Sequence, residues 1–237
     1  MTAILAIFRK ELSDYFTSLT AYMVICLFLM ISGGMFWLEF FSASATELTM
    51  RGFFLQAPFF LAFFAPAISM GLLSEEQRSR TLELLMTMPV TDLDIVLGKF
   101  FAALTLLLLV IGATLPYAVS LSMMGDLDWG PIVGGYLGLG LLGCTYLSLG
   151  LMISSWTRDQ VVSVLVAFFL CFALSVMGNL AEHAPPWLAR VLNALSTSAH
   201  FQNIARGVID TRDIIYYLSM TVVSLGAATV TLGRRRW

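Results

Sequence analysis

"LLSEEQRSRTLELLMTMPVTDLDIVLGKF", Leu72–Phe100, gathers Glu75, Glu76, Arg78, Arg80, Glu83, Asp92, Asp94 and Lys99 between two long apolar runs. Elsewhere the chain avoids charge: 12% of its 237 residues are charged, 59% are hydrophobic and the mean hydropathy is +0.87. Soluble domains carry about 25% charged residues, so lipid is the expected solvent for most of this chain. A spanning helix needs roughly 20 apolar residues. Six runs qualify, at about 20–41, 52–73, 99–123, 130–155, 161–180 and 214–232. None alternates with the two-residue period of a membrane β-barrel. The expected fold is an all-α polytopic membrane protein, one transmembrane domain over 1–237.

An even number of spans puts both termini on one side. With that side cytoplasmic, the inside holds Arg9, Lys10, Arg78, Arg80, Lys99, Arg158, Arg234, Arg235 and Arg236, and the outside only Arg51, Arg190, Arg206 and Arg212. This distribution obeys the positive-inside rule. The small residues of "SASA" at Ser42–Ala45 look like a cleavage site, but the preceding apolar run is too long for a signal core and Glu11 and Asp14 sit in the would-be basic region,. A retained first span is expected. Before it, residues 1–19 place Ile4, Ile7, Phe8, Leu12, Tyr15, Phe16 and Leu19 at helical spacing. That pattern fits a helix in the membrane interface or a juxtamembrane extension of the first span. On the other side, the segment 181–213 is too apolar for a plain loop. Pro185–Pro186 suits a helix start, and Trp129 and Trp187 fit headgroup-level anchors.

The charged segment, 74–98, has its own punctuation. Ser74-Glu75-Glu76-Gln77 has the form of a capping box for a restarting helix. Thr81 to Met88 can form a short helix with Leu82, Leu85 and Met86 on one face, and Pro89 stops it. Thr91 can cap the next helix, with Asp92 and Asp94 complementing its dipole. The apolar face of the short helix has two candidate partners: lipid and the protein's own helix ends, or a groove on a cytoplasmic protein. The mixed charges and the Glu75-Glu76 pair suit a protein surface better than anionic lipid.

"EEQRSRTLELLMTMPVTDLDIVLGKF" resembles the coupling segment of ABC-2 type transporter permeases, in which an acidic start, T-L-E-L-L, a proline and G-K recur. "LSTSAHFQNIARGVIDTRDIIYYLS", Leu195–Ser219, is similar to the stretch before the last span in gliding-motility and nitrous-oxide-reductase-maturation permeases. One departure is Arg80, where many relatives have glycine. The resemblance implies that Glu75, Glu76, Arg78, Arg80, Thr81, Leu82, Glu83, Leu84, Leu85 and Pro89 dock on a separate ABC ATP-binding subunit, present in two copies. Gly98 and Lys99 would mark the span entry. It further implies a permease homodimer in the bacterial cytoplasmic (inner) membrane, with ATP and Mg on the partner ATPase and no cofactor on this chain. An added membrane-anchored protein with a large periplasmic domain would dock on Trp187, His200, Arg206, Asp210 and Arg212.

Other chemistry is declined. No GxxxxGK[ST] is present to cradle a phosphate. Ser196, Ser198, His200, Asp210 and Asp213 lack a nucleophile elbow. His183 and His200 lack a third metal ligand. Cys26, Cys144 and Cys171 lie in apolar runs and read as structural thiols. A net charge of −2 gives no pull toward nucleic acid,. The spans carry no charge at their middles, which speaks against a proton-coupled carrier or ion channel. Gly134 and Gly138 form a GxxxG for close helix packing, within the chain or across a dimer. Pro58, Pro66 and Pro116 are candidate hinges or plain lipid-face irregularities. The expected function is the non-catalytic permease subunit of an ATP-driven exporter of unidentified cargo. The alternative is a transmitter that relays ATPase motion to a periplasmic partner without moving cargo.

Overall fold

The computed structural model describes residues 2–42, 50–79, 90–125, 128–181, 183–208 and 210–234. Eleven helices and no strand appear among them. In chain order they are α1 (Thr2–Thr17), α2 (Thr20–Ser42), α3 (Arg51–Ser69), α4 (Gly71–Ser79), α5 (Asp92–Gly112), α6 (Leu115–Ser122), α7 (Trp129–Trp156), α8 (Gln160–Ala181), α9 (Pro186–Leu195), α10 (Thr197–Ala205) and α11 (Thr211–Gly233). Six stretches are long and apolar enough to cross a membrane: α2, α3–α4, α5–α6, α7, α8 and α11. The protein is an all-α polytopic membrane protein.

The six are not equivalent. Burial reaches 72% for the most apolar window of α7, 67% for α3–α4 and 61% for α5–α6, but only 22% for α2 and for α11. The central helix is α7, packed on by α3, α4, α5, α8, α10 and α11. Its glycines explain how so many neighbours reach it. A Cβ at Gly135 would strike the Phe54 ring, one at Gly143 would lie 2.5 Å from Leu107 Cδ2, and one at Gly150 would overlap Ser69 Oγ. The Gly134/Gly138 pair is used within the chain: α10 lies across it, with the Ile204 carbonyl against Gly134 and the Phe201 ring against Gly138.

Two spans are interrupted. α3 runs through both Pro58 and Pro66 and gives way to α4 at Met70. The third span breaks at Ala113–Thr114, so that Pro116 falls in the first turn of α6, where a missing N–H costs nothing. The freed groups are satisfied: Thr114 Oγ1 donates to the Ile111 carbonyl at 2.7 Å, and Tyr136 Oη of α7 donates to the Thr114 carbonyl at 3.0 Å.

The first helix and the end of the last gather on one face. α1 packs along α5, and Gly233 at the end of α11 approaches Asp92 at the start of α5. We call this the terminal face. On the opposite, far face α9 starts at Pro186 and lies on the surface of α8 with no residue buried, whereas α10 sinks inward and buries Phe201 and Ile204 completely. A hydroxyl cluster anchors α10. Tyr146 Oη lies 2.5 Å from Ser175 Oγ and 2.7 Å from Thr197 Oγ1, and Tyr217 Oη donates to the Thr197 carbonyl at 2.7 Å.

Gly134→Ala would press a methyl into the backbone carbonyl of Ile204, which no rotamer change relieves. It is expected to cost about 1–3 kcal/mol in thermal unfolding of the detergent-solubilised protein. Gly226→Ala on α11 meets open space and is expected to leave stability unchanged or raise it by up to about 1 kcal/mol.

Candidate coupling site at the terminal face

Residues 80–89 lie outside the described residues, so Arg80, Thr81, Leu82, Glu83, Leu84, Leu85 and Pro89 have no structural account. The stems on either side are described. α4 arrives with Glu75, Glu76 and Arg78; α5 departs from Thr91. The Thr91 hydroxyl accepts from the Asp94 N–H, and the Asp94 carboxylate accepts from the Thr91 N–H and from its hydroxyl. This is a reciprocal capping box at the usual spacing, with an aspartate, one methylene shorter, in place of the common glutamate,. The other expected box is absent. Ser74 lies inside α4, which begins at Gly71, and its hydroxyl donates back to the Met70 carbonyl. A buried, apolar first turn, with Leu72 and Leu73 packed in the core, starts the helix upstream of the point where the cap would have begun it.

What joins the two stems is Lys99. It sits in the second turn of α5, with a side chain only 2% exposed. Its ammonium lies 2.8 Å from Glu76 Oε1 of α4 and 2.8 Å from Glu11 Oε1 of α1. An unpaired ammonium in such a place would cost several kcal/mol; two carboxylates more than neutralise it. The cluster thus carries one negative charge in excess, and Glu76 Oε2 is buried with no partner among the described residues.

Gly98, next to Lys99, makes the arrangement possible. A Cβ there would lie 2.8 Å from Ile7 Cγ2 and 3.2 Å from the Ile4 carbonyl. The glycine is a notch that lets α1 cross α5 closely enough for Glu11 to reach the ammonium. One helix turn further along α1, Tyr15 Oη donates to the Ile68 carbonyl at 3.0 Å, beside the α3/α4 break. Burial, with the Glu11 and Glu75 charges adding to it, pushes this phenol far above its ordinary range, so it stays a donor at any physiological pH.

The break itself is held from α7. Ser154 Oγ accepts from the N–H groups of Leu73 (3.2 Å) and Ser74 (3.0 Å) and donates to the Met70 carbonyl at 2.9 Å. Gln77 Nε2 donates to the Ser155 carbonyl at 3.1 Å. One hydroxyl therefore serves three backbone groups at the break, the N–H groups of Leu73 and Ser74 and the Met70 carbonyl that the Ser74 hydroxyl shares; a buried backbone group left unsatisfied costs about 1–3 kcal/mol. Sequence reading named Glu76, Gly98 and Lys99 but missed Glu11, Tyr15 and Ser154. A lone acidic residue on an interfacial helix and a serine in an apolar span give no local signal of a distant partner.

On the far face the other candidates disperse. Trp187 is exposed on α9. Asp210 caps α11 by accepting from the Arg212 N–H at 3.0 Å. His200 turns inward: its Nδ1 is 2.6 Å from Asp213 Oδ1, and its ring stacks on Tyr216 at 4.2 Å. Ser196 caps α10 and Ser198 donates to the Ser175 carbonyl, so these hydroxyls are spent on backbone. Among the described residues no three His, Cys, Asp or Glu side chains cluster for a metal.

A six-span helical protein whose second and third spans are clipped together by an ion pair at the terminal face defines a class, the polytopic membrane proteins. The family model for ABC-2 family transporter protein matches residues 5–237, and the chain belongs to that family. It is a membrane permease component of an ABC system. No curated protein matches the sequence.

Lys99→Met is expected to lower unfolding stability by about 3 kcal/mol, since it leaves two carboxylates facing each other without a cation. Adding Glu11→Gln and Glu76→Gln to it should recover more than half of that loss. Ser154→Ala should cost about 2 kcal/mol. Thermal unfolding in detergent measures all three.

Proposed function

We propose that this protein is the passive half of an ATP-driven exporter: a separate ATPase subunit, which binds the ATP and Mg, grips residues 80–89, and the Glu76–Lys99–Glu11 clip delivers the resulting motion to the spans. The observation that carries the reading is the burial of Lys99 between two helices that flank that segment and a third that lies beside them. A push on a loose loop would dissipate in the loop. Here α4 and α5 are clamped to each other just inside the membrane, α1 is clamped to both, and Ser154 and Gln77 fasten α4 to α7. Force applied to the segment is therefore shared by the three most enclosed spans.

The terminal face is the cytoplasmic one in this reading, because among the described residues it carries Arg9, Lys10, Arg78, Lys99, Arg158 and Arg234, against Arg51, Arg190, Arg206 and Arg212 on the far face,. Two copies, each with one ATPase, form the working unit. The central spans carry no Asp, Glu, Lys or Arg between their ends: Arg51 stands at the far-face end, and Glu75, Glu76, Arg78, Asp92, Asp94 and Lys99 stand at the terminal-face end, so the cargo path in this reading is apolar to mildly polar. That favours amphipathic cargo.

Orientation is tested by labelling. In spheroplasts, a membrane-impermeant maleimide is expected to modify Arg190→Cys and to spare Ser79→Cys until the membrane is opened. The reverse pattern would invert the topology and remove the ATPase from the segment. Coupling is tested by exchange of charge. Lys99→Glu and Glu76→Lys, each alone, are expected to abolish cargo-stimulated ATP hydrolysis by the complex. The double exchange restores one cation between two carboxylates and should return most of it. Equal activity in all three variants would show that the clip transmits nothing.

A further inference from the structure

A cleft of ≈ 600 Å³ opens on the far face between the first turns of α3 and α7 and the end of α10. Its floor is apolar: Phe54 and Phe201, rings edge to face at 6.5 Å, and Ile132, all nearly fully buried. Among the described residues its rim is polar and mostly cationic, with Arg51, Arg206 and Gln202 facing one acid, Asp128. That acid is already engaged, since Asp128 Oδ1 accepts from the Gly130 N–H at 3.1 Å and caps α7. Neither arginine takes part in a salt bridge among the described residues, and both are exposed. α3 begins at Arg51 with no side-chain cap among the described residues, so the positive end of its dipole adds potential at the same rim.

We infer that this cleft binds an amphipath with an anionic, phosphate-like head, held by Arg51, Arg206 and the start of α3, while the first part of its chain lies on Phe54, Phe201 and Ile132. Guanidinium groups match phosphate oxygens in geometry as well as charge. A cationic or wholly apolar ligand would leave both of them unanswered over a greasy floor. The volume lies within the span of small-ligand sites, about 300–1,000 Å³, which suits one chain and its head rather than a complete two-chain lipid. Two sources carry this chemistry: the headgroup end of a bilayer phospholipid, and a single-chain anionic amphipath delivered as cargo. The inference rests on the permease reading only for its meaning in transport; binding itself needs no ATPase.

The test uses the purified full-length protein in dodecyl maltoside, titrated calorimetrically with dodecyl phosphate and with dodecyltrimethylammonium. The wild type is expected to bind the phosphate saturably and about tenfold more tightly than the ammonium. Arg51→Gln and Arg206→Gln, both on exposed side chains that the fold does not use, should each weaken it by about tenfold, with Lys at either position recovering part of the loss. A second arm places the protein in phosphatidylcholine nanodiscs containing phosphatidylglycerol and counts retained lipid by native mass spectrometry. Phosphatidylglycerol retained by the wild type and lost from the double Gln variant supports the site and assigns it to bilayer lipid. Dodecyl phosphate binding without such retention supports it and assigns it to free amphipath. Equal affinity for the two heads, or undiminished phosphate binding in the double Gln variant, overturns the inference. Copurification with the ATPase is read separately: its failure would remove the permease reading and leave the cleft standing.

Discussion

An ammonium group shut away from water has to be answered by charge, and at Lys99 the answer comes from two helices at once. That requirement orders the whole terminal face. Glu76 can reach the ammonium only if α4 returns beside α5, and Glu11 only if α1 crosses α5 at Gly98, where α5 offers no side chain to hold it off. Apolar packing alone would let an interfacial helix slide along its neighbours, because dispersion contacts are weakly directional. The ionic clip removes that freedom, and the Tyr15 bond to Ile68 sets the rotation of α1 as well. Buried ion pairs are poor sources of net stability; their contribution here is to choose one arrangement of helices.

The same division of labour holds further into the membrane. Lipid tails are as apolar as the side chains, so burial of apolar surface drives helix association only weakly, and shape and hydrogen bonds take over. α7 supplies both. Its glycines admit close side-chain contacts from α3 and α5 and side-chain and backbone contacts from α10, while its Ser154, Tyr136 and Tyr146 satisfy polar groups at three places where neighbouring segments depart from continuous helix. The interruptions at Met70 and at Ala113–Thr114 are thus supported joints, each closed by a side chain from the same central rod.

The architecture was legible from composition and run length, because spanning a bilayer demands a long apolar helix and little else satisfies the backbone there. The cap at Thr91 was legible too, since its residues are adjacent in sequence. Ser74 misled for the same local reason: a motif that caps an exposed start is ordinary helix when apolar burial begins one turn earlier. The proline pattern placed the interruptions only approximately, since the breaks fall at neighbouring residues whose carbonyls happen to find partners. The three-residue clip was half visible. Glu76 and Lys99 stand in one charged stretch, but Glu11 is 88 positions from Lys99, and no periodicity reports a pairing across that separation. The far-face cleft was invisible for the stronger reason that its two arginines come from segments more than half the chain apart.

The uneven enclosure of the six spans sets where the chain tolerates change. Lipid conforms to almost any outline, so the outward sides of α2, α8 and α11 can exchange one apolar residue for another with little consequence. The enclosed trio has no such latitude, because each notch on α7 is matched to a particular bulge. Divergence in this protein should therefore accumulate as a shell of drifting residues around an axle that hardly alters.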